Sequence, residues 1–333
     1  MVEPIITVIM PVYNTARYLP RTLESIFNQS IGVDMFKLIA IDDGSIDNSL
    51  SILRKYLQKF PDNMEVISKS NEGIGPTRNL GIERTTSKYI AFIDSDDYYD
   101  IDFLKKHVTK AEETGADIVS SGYTRITPEG QILRQFIPEK ITDYTKYITL
   151  SSCNRIHRVS FLTEKKIKFF LDTYVEDAPF SVLEIAQGAK FAFINYSGYY
   201  WVAHNDSFSG TKMRLQDKDN QKLALEQLAL YIKMGESLKR TPEFSYFMLK
   251  ALIHQFKQGR NQTSQKFMKH YGKGIRLLKE AVPNSLKLSV ISGGRGDELE
   301  LRVVVFLFLV IYKLNLMPLL SKIYCTGREN GKN

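Results

Sequence analysis

The sequence predicts an α/β protein, a mostly parallel sheet flanked by helices, with a C-terminal α-helical region. Three observations carry this. Short apolar runs alternate with amphipathic stretches from residue 5 to residue 97, the pattern of a parallel, doubly wound sheet. Three of the predicted strands end in polar clusters, at Tyr13-Asn14, Asp42-Asp43 and Asp94-Ser95-Asp96. From Met213 onward the alternation stops, and apolar residues recur at helical spacing in a charged background.

Taken in order, residues 5–10 form an apolar, β-rich run closed by Pro11-Val12-Tyr13-Asn14. Leu19, Leu23, Ile26 and Phe27 place a helix over residues 18–29. Residues 36–41 are the second strand and run into Asp42-Asp43-Gly44-Ser45. A helix over 46–60 carries Leu50, Leu53 and Leu57 on one face, and residues 64–68 are the third strand. Asn71-Glu72-Gly73-Ile74-Gly75-Pro76-Thr77-Arg78-Asn79 reads as a loop entering a helix. Tyr89-Ile90-Ala91-Phe92-Ile93 then runs straight into Asp94-Ser95-Asp96-Asp97. Such a continuous apolar run is a strand buried on both faces.

Beyond it, residues 102–115 read as a helix and 117–123 as a strand. Pro128-Glu129-Gly130 marks a hairpin turn. Residues 140–150 are a connector with no assigned function. Glu176-Asp177-Ala178-Pro179 places acids and a proline at a helix start. A short strand over 191–194 and an aromatic strand from Tyr199 follow. Ser292-Gly293-Gly294-Arg295-Gly296 reads as a flexible linker. An apolar helix over 301–320 comes last.

The chain has 333 residues, 43% hydrophobic and 25% charged, which suits a globular protein of more than one ordinary domain. Cys153 and Cys325 match no metal spacing, and Met1-Val2-Glu3-Pro4 leads into a strand without a signal-peptide pattern. A reduced, cytoplasmic chain is the expectation. The net charge of +8 points to an anionic partner. Zinc-finger, RNP and helix-turn-helix signatures are missing, so no nucleic-acid partner is expected. The sequence also contains neither a P-loop nor a dinucleotide fingerprint after strand one.

Ligand crevices of open α/β sheets lie outside the carboxyl ends of the strands. Three acids at one strand end repel each other unless a cation sits among them, and hard divalent cations take carboxylate oxygens. The plainer alternative is an acidic turn capping the next helix. With Asn71 and Arg78 from the neighbouring loop, one crevice would hold carboxylates for a metal, a carboxylate for a base or ribose, and an arginine for phosphate. That is equipment for a nucleotide diphosphate.

Four segments in this order, Val8-Ile9-Met10-Pro11-Val12-Tyr13-Asn14, Ile41-Asp42-Asp43-Gly44-Ser45, Asn71-Glu72-Gly73 with Thr77-Arg78-Asn79, and Phe92-Ile93-Asp94-Ser95-Asp96-Asp97, resemble family 2 glycosyltransferases of the Rossmann-like GT-A fold. The resemblance covers roughly the first two thirds of the chain. It implies an inverting transferase that uses a nucleotide-activated sugar, most often a UDP-sugar, with Mn2+ or Mg2+. It also implies a GT-A catalytic domain over residues 1–212, with its acceptor side from about residue 120, and a C-terminal helical region over 213–333.

Carried over by position, the resemblance implies that Pro11, Val12 and Tyr13 frame the base, with Asn14 and Ser95 in the same donor-binding set. Asp43 would accept from the uracil ring. Asn71 and Arg78 would secure the base and phosphate side, and Asp94 would sit near the ribose. Asp96 would bind the metal directly, with His204 as a further metal ligand or only a polar loop histidine. Ser207 and Ser209 would donate to phosphate. Asp177 would be the general base, and Glu176 would contact the acceptor or cap the helix. Asp42 reads as a neighbour or helix cap, and His157, where the family often has tyrosine, as a structural or surface residue.

The expected function is transfer of a sugar to a hydroxyl of a glycan or lipid-linked acceptor in cell-envelope or exopolysaccharide synthesis. The alternatives are a protein glycosyltransferase, an inactive member that binds a nucleotide-sugar or a partner, and a phosphatase using Asp94 and Asp96. In the tail, the unbroken apolar core covers only residues 303–312, short of the roughly 20 residues that span a bilayer. A peripheral membrane contact through 301–320 and burial in the helical region or in a homo-oligomer are both open.

Overall fold

The computed structural model describes residues 3–170, 176–204, 220–257 and 260–326, with side chains left aside at 220–224 and 257. The chain divides into two compact units. The first takes the described residues up to Glu139 and again from Leu150 to His204, and the second takes Lys140–Thr149 and the described residues from Asn220 onward. The expected boundary at residue 212 lies outside the described residues, and the connector 140–150 belongs almost wholly to the second unit.

The first unit is built on one nine-stranded sheet. Its strands are β1 (Ile6–Val12), β2 (Phe36–Asp43), β3 (Met64–Lys69), β4 (Tyr89–Phe92), β5 (Tyr98–Tyr99), β6 (Ile118–Ile126), β7 (Ile132–Phe136), β8 (Arg155–Arg158) and β9 (Phe191–Val202). They run in the order β3-β2-β1-β4-β8-β6-β9-β5, with β7 added to β6. β1, β2, β3 and β4 are parallel, whereas β8 is antiparallel to both β4 and β6. The crossovers of the parallel part are α1 (Leu19–Phe27), α2 (Ser49–Lys59) and α3 (Ile74–Arg84), followed later by α4 (Phe103–Thr114), α5 (Val159–Glu164) and α6 (Asp177–Ala186).

Every residue of β1 is buried. The core around it gathers Val8, Met10, Leu23, Ile26, Leu38, Phe92 and Phe103. β4 leaves the ladder opposite Ile9, so beyond that point β1 is paired only with β2, and Pro11 is tolerated there. Gly81 on α3 lies against Ile9, where an added Cβ would meet the isoleucine Cγ2 at 2.4 Å. That close approach seats α3 on the sheet and sets the depth of Arg78, one helical turn earlier.

One expectation for this unit changes in detail. The two strands expected over 191–194 and from 199 are one strand, β9, because register shifts against β6 between Ser120 and Tyr123 absorb the polar residues between them. Asp97 explains why β9 ends where it does: Val202 N donates to its Oδ1 at 2.8 Å, and the Tyr199 hydroxyl donates to its Oδ2.

The second unit is helical, with helices Asn220–Met234, Pro242–Lys257, Ser264–Ala281, Leu299–Lys313 and Met317–Tyr324. Within it Tyr144 meets Tyr246 edge-on at 5.0 Å, and Lys250 holds Asp297 at 2.8 Å. The expected flexible linker is instead part of a packed 3-10 turn, Leu288–Gly294. Gly293 and Gly294 sit against the Pro242 carbonyl and the Tyr246 ring, so their lack of a Cβ serves packing rather than mobility. The apolar tail is two helices bent by 119°, not one. Asn315 takes φ 53° at the break, and Pro318 opens the second helix.

Candidate functional site

The carboxyl ends of β1, β2, β3 and β4 converge, and α6 and the end of β9 close the group. After β1, Asn14 adopts φ 53° and locks onto the turn after β2: its N–H donates to Ser45 Oγ at 3.0 Å, and its Oδ1 accepts from Ile46 N at 2.8 Å. Ser95 accepts from Thr15 Oγ1 at 2.8 Å, tying β4 to β1. Tyr13 stands 50% exposed beside these turns. Pro11 and Val12 are buried in the strand itself.

Asp43 is almost fully buried, and its carboxylate already has three protein partners. Oδ1 accepts from Lys69 Nζ at 2.5 Å and Glu72 N at 3.0 Å, and Oδ2 accepts from Gly73 N at 2.9 Å. A carboxylate has about four acceptor positions, so these three donors leave about one. Gly44 at φ 76° makes the turn that brings Asn71 alongside, since a Cβ there would stand 3.0 Å from Asn71 N. Asn71 itself is exposed. Asp42 faces inward, accepting from Ser45 N and Ser68 Oγ, each at 3.3 Å, which is the neighbour's role expected for it.

Arg78 is the centre of the arrangement. It is buried above Phe169 and Phe92, with the guanidinium 5.2 and 6.0 Å from their ring centres. Nη1 donates to Asp177 Oδ1 at 2.8 Å and to Glu176 Oε1 at 2.9 Å, while Nη2 donates to Asp94 Oδ1 at 2.7 Å. The guanidinium, expected on the base and phosphate side of the donor, holds three carboxylates. Their charges outweigh the effect of burial and keep it firmly protonated. Burial pushes Asp94 up to about 6 against the opposing pull of Arg78, with Asp96 and Asp177 adding to the rise. Burial likewise pushes Glu176 up to about 7, again opposed by Arg78.

Asp177 is the first residue of α6, where the positive end of the helix favours an anion. Ser152 Oγ donates to the same Oδ1 that Arg78 holds, at 2.7 Å. Both protein donors therefore fall on Oδ1, and the side chain stays 23% exposed. Behind α6, His157 is fully buried and pairs with Glu184 at 2.6 Å, beside Arg155. This is the structural of the two roles expected for His157.

Of the three clustered acids, Asp97 points away into the β9 contact, and burial with Asp96 and Asp94 nearby pushes its carboxyl well up. Asp96 Oδ2 instead meets His204 Nε2 at 2.8 Å, and the imidazole stacks on Tyr18 at 4.2 Å. Two neighbouring ligands of one octahedral cation stand about 3 Å apart, so this oxygen–nitrogen pair fits one edge of a divalent metal's shell. His204 Nδ1 is buried without a hydrogen-bond partner among the described residues. No group of three or more His, Cys, Asp or Glu among the described residues is arranged to hold a metal. Among the described residues, Asp96 and His204 have no third such side chain placed to complete a metal site. Ser207 and Ser209 lie outside the described residues.

Sequence reasoning missed Ser152, Lys69 and Tyr18. Ser152 carries no local signal, because its partner is 25 residues away. Lys69 was recoverable in part, as the last residue of a strand neighbouring the Asp42-Asp43 strand.

A mostly parallel sheet, curled by its antiparallel strands and carrying carboxylates at its strand ends, is the GT-A architecture. Residues 7–165 match the model described as Glycosyl transferase family 2. Among relatives, it is 29% identical over 224 residues to the Minor teichoic acid biosynthesis protein GgaB of Bacillus subtilis (strain 168), which covers 64% of this chain and 24% of that one. It is 29% identical over 246 residues to the Putative glycosyltransferase EpsH of the same organism, covering 69% of this chain and 68% of that one. The chain thus spans about a quarter of the first relative's length and about two thirds of the second's. Among solved structures, S. aureus TarS 1-349 in complex with UDP-GlcNAc matches with TM-score 0.67 and 21% identity, over 93% of this chain and 92% of that one.

Proposed function

We propose that the protein is an inverting glycosyltransferase. It moves a sugar from a nucleotide donor, a UDP-sugar, to a hydroxyl of a glycan or lipid-linked acceptor in cell-envelope polysaccharide synthesis, on the cytoplasmic side. The single observation that carries this reading is the Arg78 fork, which ties the acid expected beside the ribose, Asp94, to the acid expected as base, Asp177. The relative named for teichoic acid synthesis, GgaB, and the UDP-GlcNAc complex of TarS support the choice of donor and pathway class.

In this reading Asp43 uses its last acceptor position on the base, between Tyr13 and the Asn71 turn. Asp94 accepts from the ribose. Asp96 and His204 would hold Mn2+ or Mg2+ together with the donor's diphosphate, and that cation supplies charge stabilisation for the leaving nucleotide. A mannosyltransferase of Pyrobaculum calidifontis, described in complex with GDP-Man and Mn2+, supports a divalent ion. Asp177 removes the proton from the acceptor hydroxyl as that oxygen attacks the anomeric carbon opposite the diphosphate. Arg78 and Ser152 hold its Oδ1, which leaves Oδ2 for the hydroxyl.

The test is UDP release across a panel of nucleotide sugars with Mn2+, comparing wild type with Asp177→Asn and Asp96→Asn. Slow hydrolysis of one donor, lost in both variants, supports the reading and names the sugar. Failure of every nucleotide to bind with or without the ion sinks it.

A further inference from the structure

We infer that the outer face of the C-terminal helix pair, together with the basic stripe of the helix Ser264–Ala281, is a docking surface for an anionic lipid bilayer. The helix Leu299–Lys313 buries Val305, Phe308 and Leu309 against its own unit. Its opposite face is apolar too: Val303, Phe306, Leu307 and Leu314 recur at helical spacing and are 45–62% exposed. Surface helices ordinarily place charge on that face. Between Arg302 and Lys313 the sequence has no charged residue. The helix Met317–Tyr324 continues the pattern, with Leu319 62% and Ile323 75% exposed. An apolar surface of this extent marks an interaction site rather than a solvated face.

The neighbouring helix supplies the charge. Lys266, Lys269, Lys273 and Arg276 of Ser264–Ala281 are all exposed, and their spacing of three, four and three residues sets them on one face. This helix is tied to the apolar pair by the Ser264–Ser321 hydroxyl contact at 2.7 Å and by Lys279 Nζ, 5.7 Å from the Tyr312 ring. Apolar side chains beside a run of cations are what an interfacial helix presents to anionic headgroups. A second copy docked on the same face by two-fold symmetry brings lysines toward lysines, so charge complementarity favours lipid. No helix among the described residues is long and apolar enough to cross a membrane alone, and the 119° bend suits a pair lying in the interface.

The experiment is co-sedimentation of the full chain with vesicles of phosphatidylcholine and phosphatidylglycerol in equal parts, against pure phosphatidylcholine. Light scattering on the protein alone runs in parallel. The wild type should bind the anionic vesicles, bind the neutral ones far less, and release in high salt. Phe306→Ser with Leu307→Ser should weaken binding roughly tenfold or more, because both apolar side chains are lost from the apolar phase. Lys269→Gln with Lys273→Gln should weaken it about thirtyfold. All four side chains are exposed, so melting temperatures should match wild type, and the salt dependence of the wild type tests the inference without any variant. Equal binding to both vesicle types, or no loss in either double variant, overturns it. A wild-type oligomer that Phe306→Ser with Leu307→Ser dissociates, combined with no vesicle binding, assigns the face to a second copy and also overturns it.

Discussion

Arg78 Nη1 lies 2.8 Å from Asp177 Oδ1 across 99 residues of sequence. The other terminal nitrogen of the same guanidinium holds Asp94 at 2.7 Å. Because the fork is planar and its nitrogens are fixed relative to each other, the two acids are set at one spacing. Removing one partner of a buried ion pair costs about 3–5 kcal/mol, because the other charges stay buried and unpaired. Arg78→Gln should lower unfolding free energy by that amount in denaturant titrations. Arg78→Lys should keep part of the stability but lose turnover, since an ammonium cannot hold both acids in the plane. A variant within about 1 kcal/mol of wild type would show that the fork is not structural.

Asp177→Asn keeps the size and the contact to Ser152 and removes the proton acceptor. Turnover should fall by about 10²–10⁴-fold, the usual worth of a general base. UDP affinity, read by calorimetry, should stay within about twofold, because no donor contact is altered. An equal fall in donor affinity would move Asp177 from the acceptor side to the donor side.

How much of this was legible beforehand depends on range along the chain. The strand ends bearing Asn14, Asp43 and Asp94 follow from apolar runs closed by polar turns, and the sheet puts them together as expected. The division of labour among Asp94, Asp96 and Asp97 was not legible, since it is set by Val202, His204 and Arg78 from other elements. Likewise the glycines at 293 and 294 carry the local composition of a linker. Only the Pro242 carbonyl and the Tyr246 ring, far off in sequence, show that they are packing surfaces.

Ser152 acts through Asp177 as a positioning residue. Ser152→Ala should lower turnover by about 10- to 100-fold, since a hydrogen bond to a charged group contributes about 1.5–3 kcal/mol. Donor KM should be unchanged. Ser152→Thr should restore turnover. A matching rise in donor KM would indicate a purely structural role.

Asp94 titrates with its carboxyl raised to about 6 in the free protein. Its charged form is the one that accepts from a ribose hydroxyl, and that form is lost as pH falls through about 6. UDP affinity should therefore decline below that pH and level off above it. In Asp94→Asn the affinity should be lower throughout, and this limb should be missing. Calorimetric titrations from acidic to neutral pH decide it, and a flat wild-type profile would remove Asp94 from the donor contacts.

The clasp of Asp97 on Val202 turns β9 into a ruler. His204 stands two residues past that clasp, so its distance from Asp96 is counted out by the number of residues in the strand rather than adjusted by a loop. Successive strand residues face opposite sides, and one residue more or less after Val202 would swing the imidazole away from the carboxylate. Chain length is therefore under tighter constraint here than residue identity. Grafts between relatives should tolerate many substitutions along β9 but no insertion or deletion between Tyr199 and His204, whereas the exposed hairpin turn around Gly130 can change length freely.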